Sequence, residues 1–325
     1  MAFRLRLAPE KTSIDFFRWQ WATFGGSISL MVIAFVLWGG MGLNFGIDFQ
    51  GGTTLRTQST VAVNVGVYRA TLDKLAIGEI AVTEVFDPSF RDDQHVASVK
   101  ISAQDGAEAV TPETLDKVKA ALNTMDNALK VTSVESVGPK VSGELIWSSI
   151  VAVVVTSLAI MAYIWLRFEW QFALGGVLAL LHDVFITVGI FALFQIKFDL
   201  SIVAALLTIL GYSINDTVVV FDRLRENLVK YKTMPLRDVM NLSVNETLSR
   251  TLMTSVTTLI AVGSMMVFGG DVIRGFTFAI FVGIILGTYS SVYVAKNIVL
   301  IIGLDRSDKP KIKNGAEHEF ANIDA

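Results

Sequence analysis

The stretch Leu206–Asn227 reads LLTILGYSINDTVVVFDRLREN, and one carboxylate, Asp216, interrupts its hydrophobic run from Leu206 to Phe221. A bilayer core takes about 20 apolar residues of helix to cross. An ionisable group at the centre of such a helix costs about 2.5–3.5 kcal/mol on insertion scales, so it is kept for a reason and turned towards protein. Outward from Leu200–Phe221, hydrophobic blocks recur at about Trp21–Leu43, Leu145–Leu166, Phe172–Phe194, Thr251–Phe268 and Phe276–Ile302. The expected architecture is therefore a polytopic α-helical membrane protein with six spans. The last block is long enough to tilt, or to finish as an interfacial turn around Lys296.

Composition agrees. The 325 residues are 52% hydrophobic and 18% charged, against about 45–50% and about 25% in an ordinary soluble domain. Cysteine is absent, which excludes disulfides, thiolate metal sites and thiol chemistry. A net charge of -3 gives no reason to expect nucleic acid as a partner. A basic segment (Arg4, Arg6, Lys11, Arg18) precedes the first block, as in a signal sequence. The block is too long for a signal h-region and has no clear cleavage site, so it reads as an uncleaved anchor.

Orientation follows from Lys and Arg in the short loops. With the N-terminus inside, the inside segments hold 15 of them, from Arg4 to Lys313, and the short outside loops hold two, Lys197 and Arg274. The expectation is N-in and C-in, with residues 1–20 a cytoplasmic N-terminus, 21–43 the first span and 44–144 an external domain. Residues 145–303 then carry the other five spans with a cytoplasmic loop over 222–250, and 304–325 form a charged, disordered tail. Within that loop Pro235–Leu248 reads as a short amphipathic helix lying along the interface.

The external insert alternates short strands with amphipathic helices. TTLRTQ is a strand, Val63–Leu75 a helix, EIAVTEVF and HVASVKIS are strands, Thr111–Met125 is a helix opened by Thr-Pro-Glu, and LKVTSVESV is a strand. The order is βαββαβ, the ferredoxin-like arrangement of an α+β domain. It holds one histidine, His95, and scattered carboxylates, which points to a binding or mechanical domain rather than an enzyme.

The candidate chemistry lies in the spans. Thr208, Tyr212 and Asp216 recur at i, i+4, i+8 with Asn215 at the edge, giving one polar stripe. Asp216 is an interhelical hydrogen-bond anchor or a protonatable carboxylate in a proton path. Arg250 opens the fifth span; alone it reads as a snorkelling arginine, but it heads a small-polar face of Thr254, Thr257, Thr258 and Ala261. An arginine there points inward and expects a carboxylate partner. Burial and a guanidinium bias an acid in opposite senses, so moving one relative to the other would switch proton affinity. Asp183, beside His182 in the third span and on one face with Gly176 and Thr187, is either a second relay group or a tether that caps His182. Gly283 and Gly287 form a small-xxx-small pattern for close packing. In GIDFQGG, Asp48, Gly51 and Gly52 have turn chemistry between the first span and the insert. No cofactor or metal site is expected; spans three, four and five would hold a proton path, with one and six framing them.

These residues resemble the SecD/SecF family of bacterial protein-export membrane proteins, of the RND superfamily. The resemblance covers nearly the whole chain. It rests on GIDFQGG, VGPKVSGEL, RFEW, LHD, GYSINDTVVVFDRLREN and NETLSRTLMTS. It implies an RND-type half, pairing with SecD, and work beside the SecYEG translocon and YajC in the bacterial inner membrane. It further implies that the proton motive force promotes translocation and release of unfolded polypeptide on the periplasmic side, with coupling roles for Asp216 and Arg250. A small-molecule exporter of that superfamily would need two such halves, and a passive scaffold would not need the paired polar stripes. Whether Na⁺ replaces H⁺ is open from sequence.

Overall fold

The computed structural model describes residues 12–75, 77, 80–87, 90–91, 93–102, 110–126 and 129–304. The basic residues Arg4, Arg6 and Lys11 and the tail from residue 305 lie outside them.

Six helices are long and apolar enough to cross a membrane. In chain order the helices are α1 (Gln20–Met41), a single turn α2 (Ile47–Gln50), α3 (Val65–Asp73), α4 (Pro112–Asn123), α5 (Pro139–Arg167), α6 (Trp170–Phe194), α7 (Leu200–Lys230), α8 (Leu236–Phe268) and α9 (Gly270–Ser290). A π-helical stretch, Ser291–Ala295, carries α9 without a break into α10 (Lys296–Ile302). Strands β1 (Gly52–Ser59), β2 (Ile80–Val85), β3 (His95–Ser102) and β4 (Lys130–Val137) interleave with α3 and α4.

The insert folds as its pattern requires. The sheet order is β2-β3-β1-β4 with every neighbouring pair antiparallel, the ferredoxin-like arrangement. Helix starts are capped: the Asn64 side chain accepts from Val67 N at 3.2 Å and Thr111 Oγ1 from Thr114 N at 3.3 Å, with Pro112 at the first turn of α4. Tyr68 and Leu72 of α3 and Val118 and Leu122 of α4 bury against Leu55, Val82, Val99 and Ile101 of the sheet.

The chain enters this domain through the GIDFQGG turn. Gly51 and Gly52 have φ of 72° and 121°, which a side chain disfavours. Asp48 does not fix its own turn, as the sequence suggested. Its Oδ2 accepts from Leu200 N at 3.0 Å and so caps α7 from a distance. Asp199 caps the same end through Ser201 N at 3.1 Å.

Four expectations are corrected in the membrane part. Pro235–Leu248 is not a separate interfacial helix, because α8 runs unbroken from Leu236 to Phe268, with neither Gly nor Pro before Gly263. Its first half is held by α7, which itself continues to Lys230: Asn227 Nδ2 donates to Ser243 Oγ at 3.1 Å and Arg223 pairs with Glu246 at 2.7 Å. The loop expected over 222–250 therefore shrinks to the turn Tyr231–Pro235.

Lys296 is not at an interfacial turn but fully buried, its ammonium 3.9 Å from the Phe17 ring centroid and 5.3 Å from those of Phe16 and Tyr293. The sixth span does not frame the bundle either. In the most apolar 18-residue stretch of α6, α7 and the α9–α10 span, 61%, 50% and 50% of residues are buried, against 11%, 6% and 11% in α1, α5 and α8. The reason is α9's glycines: a Cβ on Gly283 would run into Ile209 of α7, and one on Gly287 would stand 2.9 Å from Ser213 Cβ. The small-xxx-small pattern thus seats α9 at the centre.

Candidate functional site

On α7 the residues Ser213, Asp216, Thr217 and Val220 form its buried face, at the spacing that puts them on one side of a helix. Asp216 is 3% exposed. Its Oδ2 has Ser255 Oγ of α8 at 3.5 Å, the long limit of a hydrogen bond. Ser255 also sits 2.7 Å from Thr288 Oγ1 of α9, and Thr288 donates its own proton to Ile284 O at 2.7 Å. A hydroxyl carries one proton, so Thr288 and the Asp216 carboxylate compete for the single Ser255 donor. Thr254 lies beside that carboxylate, with its hydroxyl donating to Thr251 O at 2.9 Å.

Arg250 does not point inward as expected: it is exposed, within electrostatic reach of Asp216 but forming no salt bridge with it. It faces a polar cavity of about 520 Å³ whose lining includes Tyr163, Asn215, Asp222, Glu226 and Glu246. Asn215 is exposed and opens onto that cavity rather than facing the acid. Tyr212 reaches α8 through Thr258 Oγ1 at 3.4 Å, and Thr208, exposed, bonds back to Ala204 O. The structure thus brings Asp216, Arg250, Thr254 and Tyr212 to one α7–α8 seam and leaves Asn215 at its margin. On α8 the buried line is Thr247, Thr251 and Ser255, one residue round from the predicted face; Thr257 is exposed.

Asp183 forms a second polar centre. It has no exposed surface, and it gathers three helices: Oδ2 accepts from Ser213 Oγ of α7 and Ser290 Oγ of α9, each at 2.7 Å, and Oδ1 lies 2.9 Å from His182 Nδ1 of its own helix. Thr187, on the predicted face, donates to Asp183 O at 2.7 Å, while Gly176 packs against Ile164 instead. His182 stacks on Tyr289 at 6.3 Å, and its Nε2 is buried without a partner. The Tyr289 hydroxyl donates to Thr23 O of α1 at 2.8 Å and lies 3.0 Å from Ser27 Oγ.

Sequence reasoning missed Ser213, Ser255, Thr288 and Ser290. A usable signal existed for two: Ser290 lies three residues beyond Gly287 on the close-packed face of α9, and Ser213 lies three before Asp216. Among the described residues no group of three or more His, Asp or Glu is placed to hold a metal.

The description "Protein export membrane protein SecD/SecF, C-terminal" fits residues 117–305, and "SecD/SecF GG Motif" fits residues 36–63, which include the GIDFQGG turn. A protein translocase subunit SecF of Cereibacter sphaeroides is 67% identical over 325 residues, with 100% of both chains covered. One of Rhodobacter capsulatus is 64% identical over 329 residues, covering 98% of this chain and 99% of its own. Among solved structures, SecDF of Thermus thermophilus, a translocon-associated membrane protein, superposes with a TM-score of 0.80 at 34% identity. That match covers 91% of this chain but 39% of the SecDF chain, so the present chain spans well under half of that protein.

Proposed function

The chain belongs to the SecD/SecF family of protein-export membrane proteins, and we propose that it pairs with SecD to use the proton motive force for moving and releasing polypeptide at the SecYEG translocon, with YajC. In this reading it lies in the bacterial inner membrane with both termini cytoplasmic and the sheet domain periplasmic, where the unfolded chain emerges. Protons are the coupling ion, and no cofactor takes part.

One observation carries the reading: Asp216 is a carboxylate closed inside a bundle of membrane-length helices, with Arg250 in electrostatic reach and no salt bridge locking the two. A buried acid held by few donors can gain and lose a proton without dismantling its surroundings. A shift of α8 along α7 would move Arg250 relative to Asp216 and change the acid's affinity for a proton. The sheet domain, joined to α1 by the GIDFQGG turn and to α5 directly, is the part that such a shift would move. Pairing with SecD is supported by the SecDF chain, whose matched part is 39% of its length, and by the largely uncovered α8.

The test is Asp216→Asn in inner-membrane vesicles carrying the complete translocase. Translocation should fall to the level seen with the gradient collapsed, while the protein's thermal midpoint moves little, since the carboxylate's Ser255 contact is at the long limit of a hydrogen bond. Unchanged gradient dependence would make the subunit a scaffold. Repeating the assay without sodium separates the ions: dependence that vanishes with sodium would assign the coupling to Na⁺.

A further inference from the structure

β4 is an edge strand. It pairs with β1 over Lys130–Val137, and among the described residues no strand lies on its other side. Every second residue of such a strand turns its N–H and C=O away from the sheet, so the edge presents a row of backbone donors and acceptors. Proteins usually blunt such a row with lysine, proline, a bulge or a covering element. β4 has Lys130 at its start and a bulge at Thr132, where the register against β1 shifts between Arg56 and Thr57. From Ser133 to Val137 it has no lysine, proline or bulge, and its one charge is Glu135.

A groove of about 410 Å³ runs along this edge, with Lys119 and Asn123 of α4 on one side and Leu129, Val131, Ser133 and Val134 on the other. Lys119 and Asn123 lie one turn apart, so they form a single flank of α4. Val134 stands opposite Leu55 in the register, which places it on the helix-bearing face of the sheet, yet it is 41% exposed where Leu55 is fully buried. An apolar side chain on the core side is thus left open between the edge and α4. Ser133 also borders the groove, but its hydroxyl is buried.

The other edge is different. β2 is six residues long, and it sits over the α8–α9 turn, where Arg274 Nη2 reaches Phe86 O at 3.4 Å and Gly270 lies against Asp87.

An open edge strand beside a helix-walled groove is the geometry of strand addition. We propose that the β4–α4 groove receives a segment of extended polypeptide, which pairs with β4 as a fifth strand of the sheet. Main-chain hydrogen bonds supply the attraction and read no sequence, while the Val131–Val134 side of the groove accepts alternate apolar side chains. This chemistry suits an unfolded chain of arbitrary sequence, so the proposal rests on the reading that the protein acts on translocating polypeptide. It assigns the contact to this domain.

The experiment uses the assembled translocase with a polypeptide stalled part way across. A photo-cross-linking residue replaces Val134, and the same probe replaces Arg69, exposed on α3, as the reference. The adduct with the stalled polypeptide should be at least about fivefold stronger from position 134, because strand addition holds the chain in one place. Prolines at alternate positions of the stalled segment remove its N–H donors and should bring the yield down to the reference level. A Val134→Lys chain, probed from Thr132, should lose the adduct, and because Val134 is partly exposed the domain should still fold. Equal yields at 134 and 69 would overturn the proposal. An adduct joining position 134 to another subunit instead would do so too, since the edge would then already be paired. The stalled chain needs no ion flow: a missing adduct leaves the proton-coupled reading intact, and an Asp216→Asn complex that ignores the gradient but still cross-links leaves the groove intact.

Discussion

Asp183 and Asp216 are both closed inside the helical bundle, on neighbouring helices, and they are held in opposite ways. Asp183 accepts from Ser213 and Ser290 at 2.7 Å and contacts His182 at 2.9 Å, so three helices meet on one carboxylate. Asp216 has Ser255 Oγ at 3.5 Å, a hydroxyl it shares with Thr288, and Thr254 beside it. In a low-dielectric interior, a fully satisfied polar network fixes its members and an under-bonded one leaves them free to respond. The same residue type therefore does two jobs here. Asp183 ties α6, α7 and α9 together, whereas Asp216 sits on the α7–α8 seam with weaker contacts.

The largest expected effect tests that tie. Asp183→Ala strands the Ser213 hydroxyl and the His182 Nδ1 in the buried interior and leaves Ser290 only its 3.2 Å bond to Gly287 O. Each unsatisfied buried group costs about 1–3 kcal/mol, so the loss should be about 3 kcal/mol or more. Asp216→Ala in the same detergent unfolding assay should cost less than half as much. Equal losses would erase the contrast. Next in size is Gly283→Ala, which pushes a methyl into Ile209 and lifts α9 off α7. Overpacking of this kind costs about 1–3 kcal/mol. Gly211→Ala, on the same α7 but with nothing within 4 Å of the new methyl, should be neutral or slightly stabilising. Thermal midpoints of the two variants read the difference directly.

Much of this arrangement is written locally. The lengths of the apolar blocks give six spans, and period-two alternation between turn residues gives the four strands. Asp216 and Arg250 stand out because a charge in a span demands a partner. What stayed hidden depends on which elements face each other. Serine and threonine in a helix usually bond their own preceding turn, as Thr208 and Thr187 do, so Ser255 and Thr288 carry no signal until the opposing helix is known, and Ser213 and Ser290 carry only their spacing from Asp216 and Gly287. Lys296 reads as an interfacial lysine until Phe16 and Phe17 fold back from the N-terminal side to cover it. Asp48 caps a helix 152 residues away. The fifth span was cut short because polar residues at Asn241, Asn245 and Glu246 look like a surface; they are in fact the contacts that hold it. Asn241 and Asn245 bond the backbone of Ile14 and Phe16, and Glu246 bonds Arg223 and Asn227.

The smallest expected effect gives the sharpest reading of the two acids. Ser213→Ala removes a short bond to the Asp183 carboxylate, and hydrogen bonds to charged groups contribute about 1.5–3 kcal/mol. Paired with Asp183→Asn in a double-mutant cycle, it should show a coupling in that range. Ser255→Ala removes a hydroxyl that Thr288 holds at 2.7 Å and Asp216 only at 3.5 Å, so its own cost should be about 0.5–1 kcal/mol, that of an ordinary neutral bond. Its coupling to Asp216→Asn should be indistinguishable from zero. The same Ser255→Ala chain should keep its response to the gradient, because the acid loses only a contact at 3.5 Å. A Ser255–Asp216 coupling above about 1 kcal/mol would mean that Asp216 is bonded as firmly to α8 as Asp183 is to α7 and α9. In that case α7 and α8 would be fixed to each other, and the moving part would have to be sought on the open faces of α1 and α5.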